Sequence, residues 1–295
     1  MKEKIKTGIS VLIILILLPY VAAVFRTGSM SGTEEPARQA GVEDLVAEIL
    51  PAQMPVSYEE EALKAQAVIV RTNLLRQAMS FYGSGTAAEA ASAVRESDLE
   101  ALGFTFYLRE EQIRLWGYDS WEQYAEKCGK AAESTAGQVL VTEAAEEEGT
   151  LPDLPYHAVS AGRTRGGSLL GEDYSWLESA ECPDDLQSSD YLKIETLDLD
   201  EVPQIVSRDE AGYVTEVSVQ GETLGGEEFR SLYGLNSSCF TAEQTETGVV
   251  RITTKGLGHG LGMSMYQANL LALEGMQYQE ILHYFYKNTQ CISFS

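Results

Sequence analysis

Three lysines, Lys2, Lys4 and Lys6, stand before an apolar run from Ile9 to Phe25 that only Ser10, Pro19 and Tyr20 interrupt. No other feature restricts the fold as strongly, because a stretch of this length and hydropathy crosses a bilayer as one helix. It is near the lower end of the roughly 17 to 25 residues that a spanning helix needs, and lysines ahead of it predict a cytoplasmic N-terminus. The expectation is a cytoplasmic tail over 1–8, a transmembrane anchor over 9–25 and a Gly-, Ser- and Glu-rich tether over 26–41, followed by an ectodomain over 42–295 outside the cell membrane. A cleaved signal peptide is the alternative, since Val21-Ala22-Ala23 loosely resembles a cleavage site, but the A-x-A spacing is missing. Both export the remainder.

The chain as a whole is strongly acidic: 45 Asp and Glu face 21 Lys and Arg, a net charge of -24. Such a field repels phosphates, so nucleic acid is not an expected partner. Cys128, Cys182, Cys239 and Cys291 form no C-x-x-C pair, which argues against a zinc ribbon and leaves both disulfides and free thiols open. The three histidines, His157, His259 and His283, are scattered, and no metal or cofactor is expected.

The best helix signal runs from Ser57 to Met79. Ser57 and Glu60 fit a capping box, and Leu63, Ala67, Val70 and Leu74 recur at helical spacing. Gln66 and Arg71 fall on the flanks of that stripe, where a buried helix can show polar groups to a cleft. Residues 82–150 read as a helical insertion or subdomain, with a helix around Asp119 to Ala131 and a solvated acidic loop at Glu146-Glu147-Glu148. From Tyr156 onward the texture changes to short strands and glycine turns, with strands over Tyr213–Val219 and Val249–Thr254. The second of these runs into Gly256, Gly258, Gly260 and Gly262, after which Ser264 caps a helix that Gly275 ends. A further short helix carries Ile281, Tyr284 and Phe285. The expected fold class is α+β, mixed strands and helices around a central cleft.

Three blocks in order resemble the family of stage II sporulation protein D, which includes the amidase enhancers called LytB. The first is LVAEILPAQMPVSYEEEALKAQAVIVRT from Leu45 to Thr72; the second is YHAVSAGRT from Tyr156 to Thr164, with Trp176 and Tyr191-Leu192 following. The third is GLGHGLGMSMYQA from Gly256 to Ala268, similar to the pattern G-x-G-H-G-x-G-M-S-Q-Y-x-A. There Leu257 stands for a frequent tryptophan and Met265 for a frequent glutamine.

The resemblance implies a peptidoglycan lytic transglycosylase, or a relative that enhances other wall enzymes, acting in engulfment beside an amidase and a membrane partner. Its substrate would be the glycan strand, cut when the muramyl 6-hydroxyl attacks its own anomeric carbon, which requires one acid/base carboxyl. In the family that carboxyl is a glutamate directly before Met-Pro, and Gln53 stands there in this chain. An amide has no dissociable proton near neutral pH. Without it general acid/base catalysis, typically worth roughly a hundred- to ten-thousand-fold, is lost. Either the protein binds glycan or scaffolds an amidase without cutting, or a neighbouring carboxylate such as Glu48, Glu59 or Glu60 takes over. The resemblance further implies a substrate groove lined by Gln53, Gln66, Arg71 and His259, with Ser160, Gly162, Thr164, Ser264 and Tyr266 also facing sugar. From the residues alone, Arg71 is equally a structural donor, His259 and Ser160 are ordinary turn residues, and Ser264 is explained by capping.

Overall fold

A computed structural model describes residues 41–142, 151–246 and 248–294. The expected tail and anchor, the tether up to residue 40 and the Glu146–Glu148 loop lie outside the described residues. Among the described residues no helix is long and apolar enough to cross a membrane.

Residues 42–295 begin with helix α1, Val42–Gln53, followed by α2, Glu60–Tyr82. Then come α3, Ala87–Ala93, α4, Arg109–Trp116, and α5, Tyr118–Ser134. Strands β1, Gln138–Thr142, β2, Tyr156–His157, β3, Leu192–Leu197, β4, Gln204–Arg208, β5, Val214–Val219, and β6, Glu222–Gly225, lead to α6, Gly226–Tyr233. The chain closes with β7, Phe240–Gln244, β8, Val250–Lys255, β9, Met263–Ser264, α7, Met265–Leu273, α8, Tyr278–Phe285, and β10, Thr289–Ser293. The class is mixed α+β, as expected.

The helical core is built around α2, on which α1, α3, α5, α7, α8 and β1 all pack. The apolar period predicted one buried face; the helix is buried on every side, from Ala62 and Leu63 through Val68, Ile69 and Val70 to Leu75 and Ala78. Its start is also corrected. Ser57 does not cap it: the helix begins at Glu60, with Glu59 as a cap residue that makes no side-chain bond. The Glu59 N–H instead donates to Asn269 Oδ1 of α7 at 2.8 Å, and Glu61 of α2 accepts from the Tyr278 N–H that opens α8, at 2.9 Å. The cap residue of the central helix is thus satisfied from the far end of the sequence, and Glu61 in return satisfies a donor at the start of α8. Gly83, at φ 67°, closes the other end.

Helices α3 and α5 contribute Ala87, Ala90, Cys128, Ala131 and Ala132 to the same core, and β1 pairs antiparallel with β10 from Gln138↔Ser293 to Thr142↔Thr289. They build no separate core within 82–142. A second, smaller core gathers Val214, Val217, Phe229, Phe240, Val250 and Ile252 between the sheets β3-β8-β7 and β4-β5-β6, with α6 against them. All four cysteines are free thiols, with Cys291 alone exposed.

Candidate functional site

Gln53 is the last residue of α1. The helix stops there because Pro55 forces Met54 into extended backbone, φ -139° and ψ 143°. The half-buried amide is held at both ends: its Nε2 donates to the Thr105 carbonyl at 2.9 Å, and its Oε1 accepts from the Tyr156 hydroxyl at 2.6 Å. A shallow depression of about 320 Å³ opens beside this contact, lined by Glu100, Gly103, Phe104, Thr105 and Phe106.

Tyr156 belongs to β2, which pairs in parallel with β9, Tyr156 opposite Met263 and His157 opposite Ser264. This pairing brings the glycine turn beside the end of α1. The turn threads where only glycine fits: at Gly262, φ 67°, an added Cβ would lie 1.7 Å from the Pro155 carbonyl oxygen, and at Gly260 it would lie 2.4 Å from the Tyr213 ring. Just before them, between Gly258 and Gly260, His259 is half-buried. Its Nδ1 accepts from the Leu261 N–H at 3.1 Å, and its ring lies 5.7 Å from that of His157. Burial lowers its pKa, opposed by Glu227 and by a backbone hydrogen bond at Tyr156, so the imidazole is neutral. His157 is buried with Nδ1 2.9 Å from the Leu261 carbonyl, and burial pushes its pKa down to about 3. Tyr156 therefore joins the two stretches, touching Gln53 with its hydroxyl and His259 through its backbone.

The other expected contact residues sit elsewhere. Arg71 faces no groove: it is fully buried, and its guanidinium is bonded to Glu43, Thr135 Oγ1 and the carbonyls of Ala132 and Gln138. Gln66 is likewise at 0 % exposure, with neither amide atom hydrogen-bonded. Both are buried because α2 is covered all round. Ser160, Thr164 and Ser264 are buried in local bonds. Thr164 Oγ1 accepts from the Ala180 N–H at 2.8 Å, and Gly162, at φ 104°, donates to Ser160 Oγ at 3.1 Å. Ser264 caps α7 and donates to Asp185 at 2.8 Å, while Asp185 also accepts from the Ser160 N–H at 2.7 Å. Asp185 is the hub that spacing did not reveal, and its burial pushes its pKa up to about 6. Tyr266 is half-buried, its N–H on the Ala158 carbonyl at 3.1 Å. Arg165 was also missed: it lies against the turn, 3.3 Å from the His259 carbonyl, and is paired with Asp209 and Glu227. Tyr156 stood in the second motif block, but nothing local marked its hydroxyl as the partner of residue 53.

Glu48 does not share the site of Gln53. At about 100° per residue the two lie roughly 140° apart around α1 and about 7.5 Å apart along it. Glu59 and Glu60, at the start of α2, form no hydrogen bond to Gln53 or His259 among the described residues.

A mixed α+β protein with a helix end clamped against a glycine-rich, histidine-bearing turn is the class that fold and site define. Residues 31–141 match the family model described as Stage II sporulation protein. The chain is 29% identical over 292 residues to "Stage II sporulation protein D" of Bacillus subtilis (strain 168), covering 92% of this chain and 79% of that one. It is 29% identical over 291 residues to the protein of the same description from Bacillus amyloliquefaciens, covering 91% and 78%. An uncharacterized protein of Brachyspira hyodysenteriae is 27% identical over 88 residues, 29% of this chain and 24% of the relative. Over most of its length the chain is similar to stage II sporulation protein D, a similarity that points to a role in sporulation.

Proposed function

We propose that the protein binds the glycan strands of peptidoglycan along the surface between the end of α1 and the glycine turn, holding rather than cutting them, during engulfment or wall turnover. The observation that carries this is the double hydrogen bond on Gln53. An amide there gives a proton to the Thr105 carbonyl and takes one from the Tyr156 hydroxyl. Among carboxyl forms, only a protonated acid can make both bonds, so this pocket favours the neutral form of an acid, as a general acid requires. Glutamine keeps that geometry and lacks the proton to transfer.

The test compares the unaltered protein with Gln53→Glu on purified peptidoglycan. Both are expected to bind sacculi, and the variant to release anhydromuropeptides at least a hundredfold faster. Release by the unaltered protein at the rate of the variant overturns the proposal. A second reading, a non-catalytic enhancer of a wall amidase, is favoured by the edge strand β3, whose Leu192 and Ile194 are more than half exposed. In that case the protein raises amidase activity on sacculi and Gln53→Glu leaves that stimulation unchanged. Single-pass attachment to the membrane through residues 9–25, with an amidase and a membrane partner of the engulfment machinery nearby, belongs to the same proposal.

A further inference from the structure

On another flank of α1 from Gln53 lies a cavity of about 370 Å³, enclosed by α1, the segment leading into α4, and α5. Much of its wall is apolar: Ala47, Pro51, Phe106, Leu108 and Ala125, with Trp121 beside them. Glu48 also lines it, and its Oε2 is buried with no hydrogen-bond partner. Pro51 sits inside α1 and has no N–H to give the Ala47 carbonyl, so two acceptors on this wall lack their ordinary donors.

The polar side chains nearby do not supply one. Gln112 is engaged, its Nε2 on the Tyr107 carbonyl at 2.9 Å and its Oε1 on the Trp121 indole N–H at 3.1 Å. The Arg109 guanidinium lies over the Trp121 ring, 4.4 Å from its centroid. The charged groups around Glu48 are Asp44 on its own helix, Glu96 on the turn before α4, and Arg109 and Glu110 on α4, while α5 presents only Trp121 and Ala125. Carboxylates outnumber the cation, and an unpartnered buried acceptor is unfavourable. A ligand that completes this site therefore brings hydrogen-bond donors and positive charge on a body that fits apolar walls.

We propose that this cavity is a recognition pocket for a primary ammonium group carried on a short apolar arm, as on an amino-bearing peptide side chain, with Glu48 as its ionic partner. A neutral hydroxyl would satisfy one oxygen and leave Glu48 repelled by Glu96 and Asp44; an ammonium relieves both, and the aromatic wall favours a cation as well. Burial, then Glu96 and Asp44, push the Glu48 pKa up to about 7. A bound ammonium favours the ionised carboxylate and so competes with that proton. The pocket lies apart from Gln53 and does not depend on the glycan proposal.

The test is a titration of the full-length protein with Nα-acetyl-lysine amide, followed by the backbone amide resonances of Ala47, Leu108 and Ala125. Saturable shifts are expected at pH 8, with affinity roughly five- to tenfold weaker at pH 6 as Glu48 takes up its proton. Nα-acetyl-norleucine amide, of similar size without the charge, should not saturate, and Glu48→Gln should lose both the affinity and its pH dependence. If that variant does not fold, the pH series on the unaltered protein decides alone. Equal binding of the norleucine probe, pH-independent binding, retained affinity in Glu48→Gln, or no saturable shift at all each overturns the proposal. So does N-acetylglucosamine filling the pocket in its place.

Discussion

An arginine with no exposed surface must use its donors inside the protein, and Arg71 uses them to fasten α2 to α1, α5 and β1 at once. Replacing it with Met removes the partner of a partly buried Glu43 and leaves two carbonyls without their donors. The expected loss is about 3 to 5 kcal/mol, read as a lower urea midpoint, while sacculus binding of the folded fraction is unchanged. A fall in binding without a fall in stability would return Arg71 to the glycan surface. His157 and Glu48 pull the pH dependence in opposite directions. His157 has a folded pKa of about 3, below its ordinary 6.5, so the unfolded chain takes up a proton that the folded one refuses. Its contribution is present above about 6.5 and is lost as pH falls towards 3. Glu48 has a folded pKa of about 7, above its ordinary 4.5, so its contribution is present below 4.5 and is lost as pH rises through 7. Glu48→Gln is therefore expected to raise the thermal midpoint at pH 8 and to leave it unchanged at pH 4; a constant offset at both would mean that packing rather than ionisation sets the effect.

Among the elements, the glycine turn is the one whose shape the chain can least alter. At Gly262 the positive φ and the Pro155 carbonyl act together, whereas at Gly275, φ 101°, nothing stands within 4 Å of an added Cβ. Gly275→Ala should cost about 1 to 2 kcal/mol of backbone strain, and Gly262→Ala roughly 3 kcal/mol or more, since β9 must also part from the segment before β2. Denaturant unfolding of the two variants side by side checks this, and equal losses would show that φ alone governs the turn. The turn was legible because closely spaced glycines leading into a Ser-capped helix are a local pattern. Helix α5 and strands β5 and β8 were legible for the same reason and fall within a few residues of the expected bounds. What stayed hidden was non-local. Ser57 and Glu60 spell a capping box, yet Asn269 supplies the bond, so the start of α2 is set by a residue 210 positions away. Periodicity likewise assigned Gln66 and Arg71 to the flanks of a stripe, because a helical repeat shows which face is apolar and not how many elements cover the helix. The pairing of β2 with β9 spans two residues, too short to leave a strand signature, although it is what sets Tyr156 between Gln53 and His259.

At the scale of the molecule, a large helical core and a small sheet core meet at a seam that is polar. Tyr213 precedes β5 and is fully buried; its hydroxyl accepts the Ala161 N–H at 3.0 Å, and its ring is where a Cβ on Gly260 would collide. Arg165 lies over that ring, 5.0 Å from its centroid, with its own N–H on the Gly260 carbonyl at 2.7 Å. Its guanidinium reaches Asp209 at 2.6 Å, after β4, and Glu227 at 2.8 Å, on α6. One side chain therefore ties the glycine turn, and through it the helical core, to both ends of the β4-β5-β6 sheet. Apolar packing is spread over many contacts, but this seam concentrates its hold in a buried ion pair whose partner Asp209 is almost as enclosed as the arginine. Arg165→Met leaves that carboxylate buried without a cation, at a cost of about 3 to 5 kcal/mol, and the loss falls on the small core first because its own apolar cluster is the lesser one. Amide hydrogen exchange should then speed in β4, β5 and α6 while α1 and α2 keep their protection. A uniform rise across α2 and β5 would mean instead that the two cores open as one unit.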